Sequence, residues 1–357
     1  MTKKSTTARD ILWPSDENIL VRAAFLYVGQ GASTVLLVAN GKTHDVWVVD
    51  INLDRKNGGI DVPRMIADLV EKPHIRAFVN THPHDDHLNG VTELSDLVTI
   101  DEILHSGHVP SKKHGSRYPE LKEVIKKVKD KGGKETLLEG SNSAVTIGDA
   151  RYHVLAPAEY VTDDVNEDDA EARRARIHEQ CGVIKFGKGS EWIIITGDAD
   201  RAAFQKHILF EDYHKKHLPA FALAAAHHGS RSFFKDKEED DPYLDGLEAI
   251  DPECVFVSAP TQEESQHDHP HDDAMELYEN HVSEGNVHHM GEERLSFIVD
   301  IYRDGGHSDV SDDGGKLAED YGLEDDEDKN TAEAAKAAGP FVRPKSSTGD
   351  LTPRKYG

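Results

Sequence analysis

Residues 80–90 read NTHPHDDHLNG and follow directly on the apolar run IRAFV at 75–79. That run reads as a short buried strand, so the histidines emerge at its C-terminal end, where α/β-type sites usually lie. His82 and His84 stand two apart in an extended backbone and can meet one ion from one side of a loop. Asp86 and His87 follow at once and can meet a second. Imidazole and carboxylate suit zinc, manganese or iron. A polar turn that merely happens to hold histidines would not need this spacing on a strand end. The core of the motif recurs at 266–276, QHDHPHDDAME. That copy lacks the closing histidine, since Ala274 stands where the first has His87. It also opens a helical pattern, AMELYENHV, which Asp272 or Asp273 can cap.

Working outward, ILVRAAFLYVGQGASTVLLVANGKTHDVWVVD at 19–50 gives three β-rich runs parted by GQG and NGK, hence a strand, a tight turn and a hairpin. VPRMIADLV predicts a helix capped by Asp61 with Pro63 in its first turn. ELKEVIKKVKDKGG predicts another, closed by glycine. VTIGDARYHVLAP and GVIKFGKGSEWIIITGD predict hairpins, with the charged stretch 161–180 between them as an exposed loop or helix. FALAAA, ECVFVSA, NVHHM and LSFIVDIY are further strands. Hairpins followed by strands interleaved with helices imply sheets covered by helices, not a pure Rossmann order.

The chain has 357 residues, 37% of them hydrophobic, and a formal net charge of −26. That charge disfavours unassisted binding to nucleic acid, although metal ions reverse the local sign at a site. No apolar run reaches the ~18 residues of a membrane span, and the N-terminus lacks the apolar core of a secretory signal. These features predict a cytoplasmic protein, with Cys181 and Cys254 as buried free thiols. Three regions are expected: a flexible N-terminal segment at 1–18, a folded domain at 19–304, and an acidic, disordered tail at 305–357 suited to recruiting a protein partner. DVSDDGGKLAED in that tail loosely echoes a calcium loop, but Lys316 takes a normally apolar position and flanking helices are missing.

HPHDDH fits the H-x-H-x-D-H signature, and the chain thereby resembles the metallo-β-lactamase-fold hydrolases. Asp50 ending VWVVD, Asp198 in IIITGDAD and the histidines of AAAHHGS stand in that family's order. YVGQGASTVLL, TGD, HHGS and the late HPH are similar to the soluble hydrolase domain of ComEC-type DNA-uptake proteins. Tyr27 and Ala32 replace the two aspartates of that opening motif, DINLD replaces its Asp-x-Gly, and no channel portion is present. The resemblance spans about 19–302. It implies an αββα sandwich, an α/β fold of two central mixed sheets flanked by helices.

It also implies two divalent metal ions, zinc foremost, with manganese or iron as alternatives. His82 and His84 would hold one, Asp86 and His87 the other, and Asp198 would bridge. His228 is expected to be the ligand of HHGS, leaving His227 beside it or facing substrate. His178 falls near a position where many members carry a ligand histidine; it is either that ligand or an exposed histidine of a charged loop. Asp50 is expected to orient a ligand. His269, and with it His271, is assigned to substrate contact or proton donation, and Asp86 to orienting the nucleophile. One dinuclear site, built on the first HPHDD, is therefore expected. The implied activity is metal-dependent hydrolysis of a phosphodiester, nucleic acid or nucleotide. The alternatives are another ester, lactone or thioester on the same fold, or a non-catalytic metal-binding scaffold.

Overall fold

Most strands carry apolar residues on both faces, so each sheet must be covered twice. A computed structural model describes residues 7–162 and 169–324. The first sheet contains β1 (Ile19–Phe25), β2 (Thr34–Asn40), β3 (Thr43–Val49), β4 (His74–Asn80), β5 (Thr99–His105) and β6 (Lys134–Leu137). The second contains β7 (Val145–Ile147), β8 (Ala150–Ala156), β9 (Val183–Lys188), β10 (Glu191–Ile195), β11 (Ala222–Ala224), β12 (Cys254–Val257) and β13 (Val287–His289). β14 (Phe297–Tyr302) and β15 (Ser311–Asp312) return to the first sheet, whose order is β15-β14-β1-β2-β3-β4-β5-β6; the second runs β13-β12-β11-β10-β9-β8-β7. Both are mixed: the predicted hairpins supply antiparallel pairs, while β3 to β6 and β10 to β13 run parallel.

The period-two alternation of the strands divides the core into three layers. Phe25, Leu36, Trp47 and Val79 of the first sheet meet Ile184, Phe186, Ile193 and Phe256 of the second. The opposite face of the first sheet is covered by α1 (Thr7–Leu12), α2 (Val62–Leu69), α3 (Val91–Leu97) and α4 (Tyr118–Asp130). Asp61 caps α2 as the sequence predicts, accepting from Arg64 N at 3.2 Å. The outer side of the second sheet carries α6 (Arg201–Ala203), α7 (Asp245–Ile250) and α8 (Asp272–His281), with α5 (Ala170–Glu179) leading into β9. The short α9 (Met290–Glu293) closes the space between the sheets through Met290. Helices thus sandwich two sheets, as expected. No helix of the described residues is long and apolar enough to cross a membrane.

The expected segment boundaries need correction at both ends. Within 1–18, α1 buries Ala8 and Leu12 fully, and the guanidinium of Arg9 lies 4.1 Å over the Trp13 ring. Within 305–357, β15 pairs with β14, and α10 (Lys316–Tyr321) buries Leu317 and Tyr321 in the core of the first sheet. A few large apolar residues at helical spacing suffice there because the sheet already offers an apolar face. The calcium-like loop is occupied otherwise: Asp313 accepts from the backbone N–H of Ser296 at 3.0 Å and Leu317 at 2.8 Å. The rest of the expected tail, 325–357, lies outside the described residues, as do 1–6 and 163–168.

Candidate metal centre

Strands β3, β4 and β10 end side by side across the two sheets, and their ends carry Asp50, the HPHDDH loop and Asp198. After β4 the chain turns through Asp85–His87, where Asp85 accepts from Ser116 Oγ and Arg117 N. The GQG turn packs on this loop: a side chain at Gly31 (φ +149°) would stand 2.5 Å from the Asp86 carbonyl. Gly197 (φ +50°) likewise leaves no room for a side chain, which would come within 2.6 Å of Thr81 Oγ1. After β11, His227, His228 and Gly229 all adopt positive φ, a costly conformation for two non-glycine residues that aims their rings inward.

Asp198, 2% exposed, stands at the middle of two groups of side chains. Its Oδ2 faces His82 Nε2 at 3.4 Å and His178 Nε2 at 3.7 Å, and His178 Nε2 lies 3.1 Å from His84 Nδ1. Its Oδ1 faces His87 Nε2 at 3.0 Å and His228 Nε2 at 3.4 Å. His228 Nε2 also lies 3.3 Å from His87 Nε2 and 3.3 Å from Asp86 Oδ2. Neighbouring ligands on a tetrahedral ion with bonds of about 2.0–2.1 Å stand about 3.3 Å apart, which is the spacing found here. His82 Nε2, which faces the first group, is buried with no hydrogen-bond partner among the described residues. Orphaned imidazole nitrogens are costly unless something ligates them. The chemistry and spacing of both groups therefore fit the holding of a metal ion.

The nitrogens facing away from these groups are held in place. His87 Nδ1 lies 2.8 Å from Asp50 Oδ2, and Asp50 also accepts from Thr81 N at 2.8 Å and Thr81 Oγ1 at 2.6 Å. His228 Nδ1 donates to the Ser258 carbonyl at 3.0 Å. Such contacts set the tautomer that leaves Nε2 free as a ligand. Cys181 Sγ accepts from Asp198 N at 3.2 Å and sits 3.5 Å from His82 Nδ1.

Burial, reinforced by His82, holds His84 well below the usual imidazole pKa; burial with His227 and His84 does the same to His178. Both are neutral and ready to ligate. Burial disfavours the His87 imidazolium too, but the Asp198, Asp50 and Asp86 carboxylates outweigh it and raise its pKa. Burial opposes ionisation of Asp198, yet His87, His227, His82 and His228 keep it a carboxylate. Asp86 is also held ionised, by His87 and by its hydrogen bond to His228, against the effect of burial.

The sequence-derived positions thus converge. His178, left open by its polar surroundings, ends α5 and turns into the first group. His228 rather than His227 joins the second group, while His227 Nε2 lies 3.5 Å from Asp198 Oδ2 and its Nδ1 lies 2.9 Å from Ser232 Oγ. His269 stands beside it, ring centroids 5.0 Å apart. The second HPHDD forms no comparable group among the described residues. Its aspartates do not cap α8 with their side chains, because the N-cap is His271; Asp273 instead pairs with Lys235 at 2.8 Å and Arg231 at 3.2 Å. His114, whose ring lies 6.1 Å from that of His84, and Cys181 belong to no motif, and only the packing brings them here.

Two mixed sheets between helices, with the candidate ligands on strand ends and adjoining loops, define a metallo-β-lactamase-like fold. No protein-family model and no curated protein matches the chain. Among solved structures, a diphosphatase from the PhnP family is similar at 13% identity over 75% of this chain and 94% of that one, with a TM-score of 0.38. Zn2+-bound PqqB from Methylobacterium extorquens is similar at 10% identity over 81% and 99%, with a TM-score of 0.44. An archaeal metallo-β-lactamase superfamily protein from Sulfolobus tokodaii shows 16% identity over 49% and 62%, with a TM-score of 0.25.

Proposed function

We propose that the chain is a metal-dependent hydrolase acting on phosphodiesters, in nucleic acid or a nucleotide. The observation that carries this reading is the placement of Asp198, each of whose oxygens faces a different group of ligand-spaced side chains. Two divalent ions bound there, zinc foremost, would supply a water of lowered pKa and Lewis-acid compensation of charge on the attacked group. Asp86, half-buried and held ionised, would orient the attacking water. His227 and His269 lie beside the centre, both kept neutral by burial, and their roles here are contacts to substrate. A phosphodiester suits this arrangement because it is anionic and has a poor leaving group, so compensation of charge matters most. The similarity of the GQG, TGD, HHGS and HPH motifs to ComEC-type domains supports the same substrate class.

The test is turnover of bis-p-nitrophenyl phosphate with zinc, with manganese and without metal. Metal-dependent release of p-nitrophenolate is expected. Metal binding without such release, but with cleavage of a lactone, thioester or other ester, would move the substrate class. Metal binding without turnover of any of these would favour a scaffold.

A further inference from the structure

Away from Asp198, a third group of histidines lies on the outer side of the second sheet. His153 points from β8 toward the helix layer, on the same face as Leu155, which packs in that layer. His214 and His217 come from the DYHKKHLP segment. His214 precedes a 3-10 turn at Lys215–His217, and residues three apart in such a turn lie one above the other. The spacing H-x-x-H thereby puts both rings on one side, facing His153. Ring centroids are 4.9 Å apart for His153 and His217, 6.2 Å for His214 and His217, and 6.4 Å for His153 and His214. These rings are spread wider than those of His82, His84 and His178, which stand 4.5, 4.9 and 5.6 Å apart, and without an ion they do not form a ligand-spaced group as those do.

Two nitrogens of the triad are unexplained by the fold. His214 is 2% exposed, and its Nδ1 is buried without a hydrogen-bond partner among the described residues; so is His217 Nε2. His153 Nε2 lies 2.5 Å from the Ser141 carbonyl, which fixes that ring and leaves Nδ1 free. Burying unpartnered imidazole nitrogens costs stability that apolar side chains would avoid.

We propose that His153, His214 and His217 form a further site for a borderline transition-metal ion such as Zn2+, separate from the centre at Asp198. Three neutral imidazoles plus water make an ordinary zinc coordination set. All three are held neutral by burial, with neighbouring histidines and Lys185 adding to the effect. An ion would draw His214 inward, since its ring stands furthest from the other two. Lys185 faces His153 in the β8–β9 register, but its ammonium is turned to the Pro219 carbonyl at 3.1 Å and over the Trp192 ring.

The experiment is zinc content per chain after equilibrium dialysis of the full chain. Wild type is compared with Asp198→Asn and with His217→Ala, a change on a half-buried surface turn that leaves the centre at Asp198 untouched. Loss of about one zinc per chain in His217→Ala, with turnover of bis-p-nitrophenyl phosphate at the wild-type rate, is expected. Asp198→Asn should retain that ion, and the double variant should lose it. Equal zinc content in wild type and His217→Ala overturns the proposal. A loss that Asp198→Asn alone reproduces and His217→Ala does not extend overturns it too. Neither result bears on whether the centre at Asp198 hydrolyses phosphodiesters, because the readout is metal content.

Discussion

Asp198 has no neutral substitute. Asp198→Asn keeps size but removes the charge that faces both groups, so occupancy of at least one ion should fall and turnover should drop on the order of 10²–10⁴-fold. Asp200→Asn is its control: Asp200 accepts from Ala203 N at 3.0 Å as the N-cap of α6, a role asparagine fills as well. Metal content by atomic absorption with parallel rates separates the two. The duplicated HPHDD is tested the same way. His84→Ala should lose metal, whereas His271→Ala, which removes an acceptor for Arg231 N at 3.2 Å and a ring 5.0 Å from that of His269, should keep wild-type content at the Asp198 centre. Equal losses would mean the second copy binds at that centre too. Lys185 provides a pH test. Burial lowers its pKa to about 8, so the folded chain gives up this proton before the unfolded chain does. Stability linked to it rises as pH goes from about 8 to about 10.5, and the full cost, roughly 3 kcal/mol at most, is present below pH 8. Lys185→Met should therefore raise Tm at pH 7, and the gain should shrink toward pH 10; a gain independent of pH would assign the effect to packing.

At the scale of elements, each strand end matters more than the strand. β4 delivers His82 only because Asn80 and Thr81 anchor its end on Asp50, through Asn80 Nδ2 at 3.2 Å and Thr81 N at 2.8 Å. The return segment after β14 is bound to the rest of the fold through its backbone as well as its side chains. Tyr321 O accepts from Asp61 N at 2.7 Å, just before α2, and Leu323 N donates to Gly59 O at 2.9 Å. α10 thus packs against the start of α2 as part of the first sheet's outer layer. Leu317→Ala should cost about 2–5 kcal/mol, as for a fully buried leucine. A chain ended at residue 304 should melt well below the full chain in calorimetry. An unchanged melting temperature would show that α10 contributes nothing to the fold.

For the whole molecule, the candidate centre is also a clamp between layers. His82, His84, Asp86 and His87 follow the first sheet, while His178, Asp198 and His228 belong to elements of the second. Ions shared by both sets would bind the folded chain and not the unfolded one. Loading at 100 times the dissociation constant adds about 2.7 kcal/mol per site. Chelation should lower Tm by several degrees, and added zinc should restore it. If chelated and loaded protein melt together, no ion spans the two sheets.

Much of this centre was legible in the sequence because its ligands sit at the ends of strong strand patterns. HPHDDH is contiguous, and IIITGD and AAAHH each run from an apolar strand into polar residues, so the candidate positions could be picked out, while the αββα order and the roles of Asp198 and His228 came from the resemblance those motifs carry. His178 stayed open because α5 is mostly polar, and a charged helix carries no apolar stripe to say which way its last turn faces. The packing of α10 was illegible for a related reason: Leu317, Tyr321 and Leu323 are too few among Asp, Gly and Lys to register as a folded segment, and only the waiting apolar face of the first sheet makes their burial favourable. The triad of His153, His214 and His217 shows the limit most clearly. Local spacing can place His214 and His217 on one side of a turn, but bringing them to a strand far away in the chain depends on long-range packing. What the sequence determined by itself is therefore what short-range periodicity and strand-end chemistry carry. Contacts between residues far apart in the chain lie beyond that reach, because their free energy comes from surfaces that exist only once both sheets have formed.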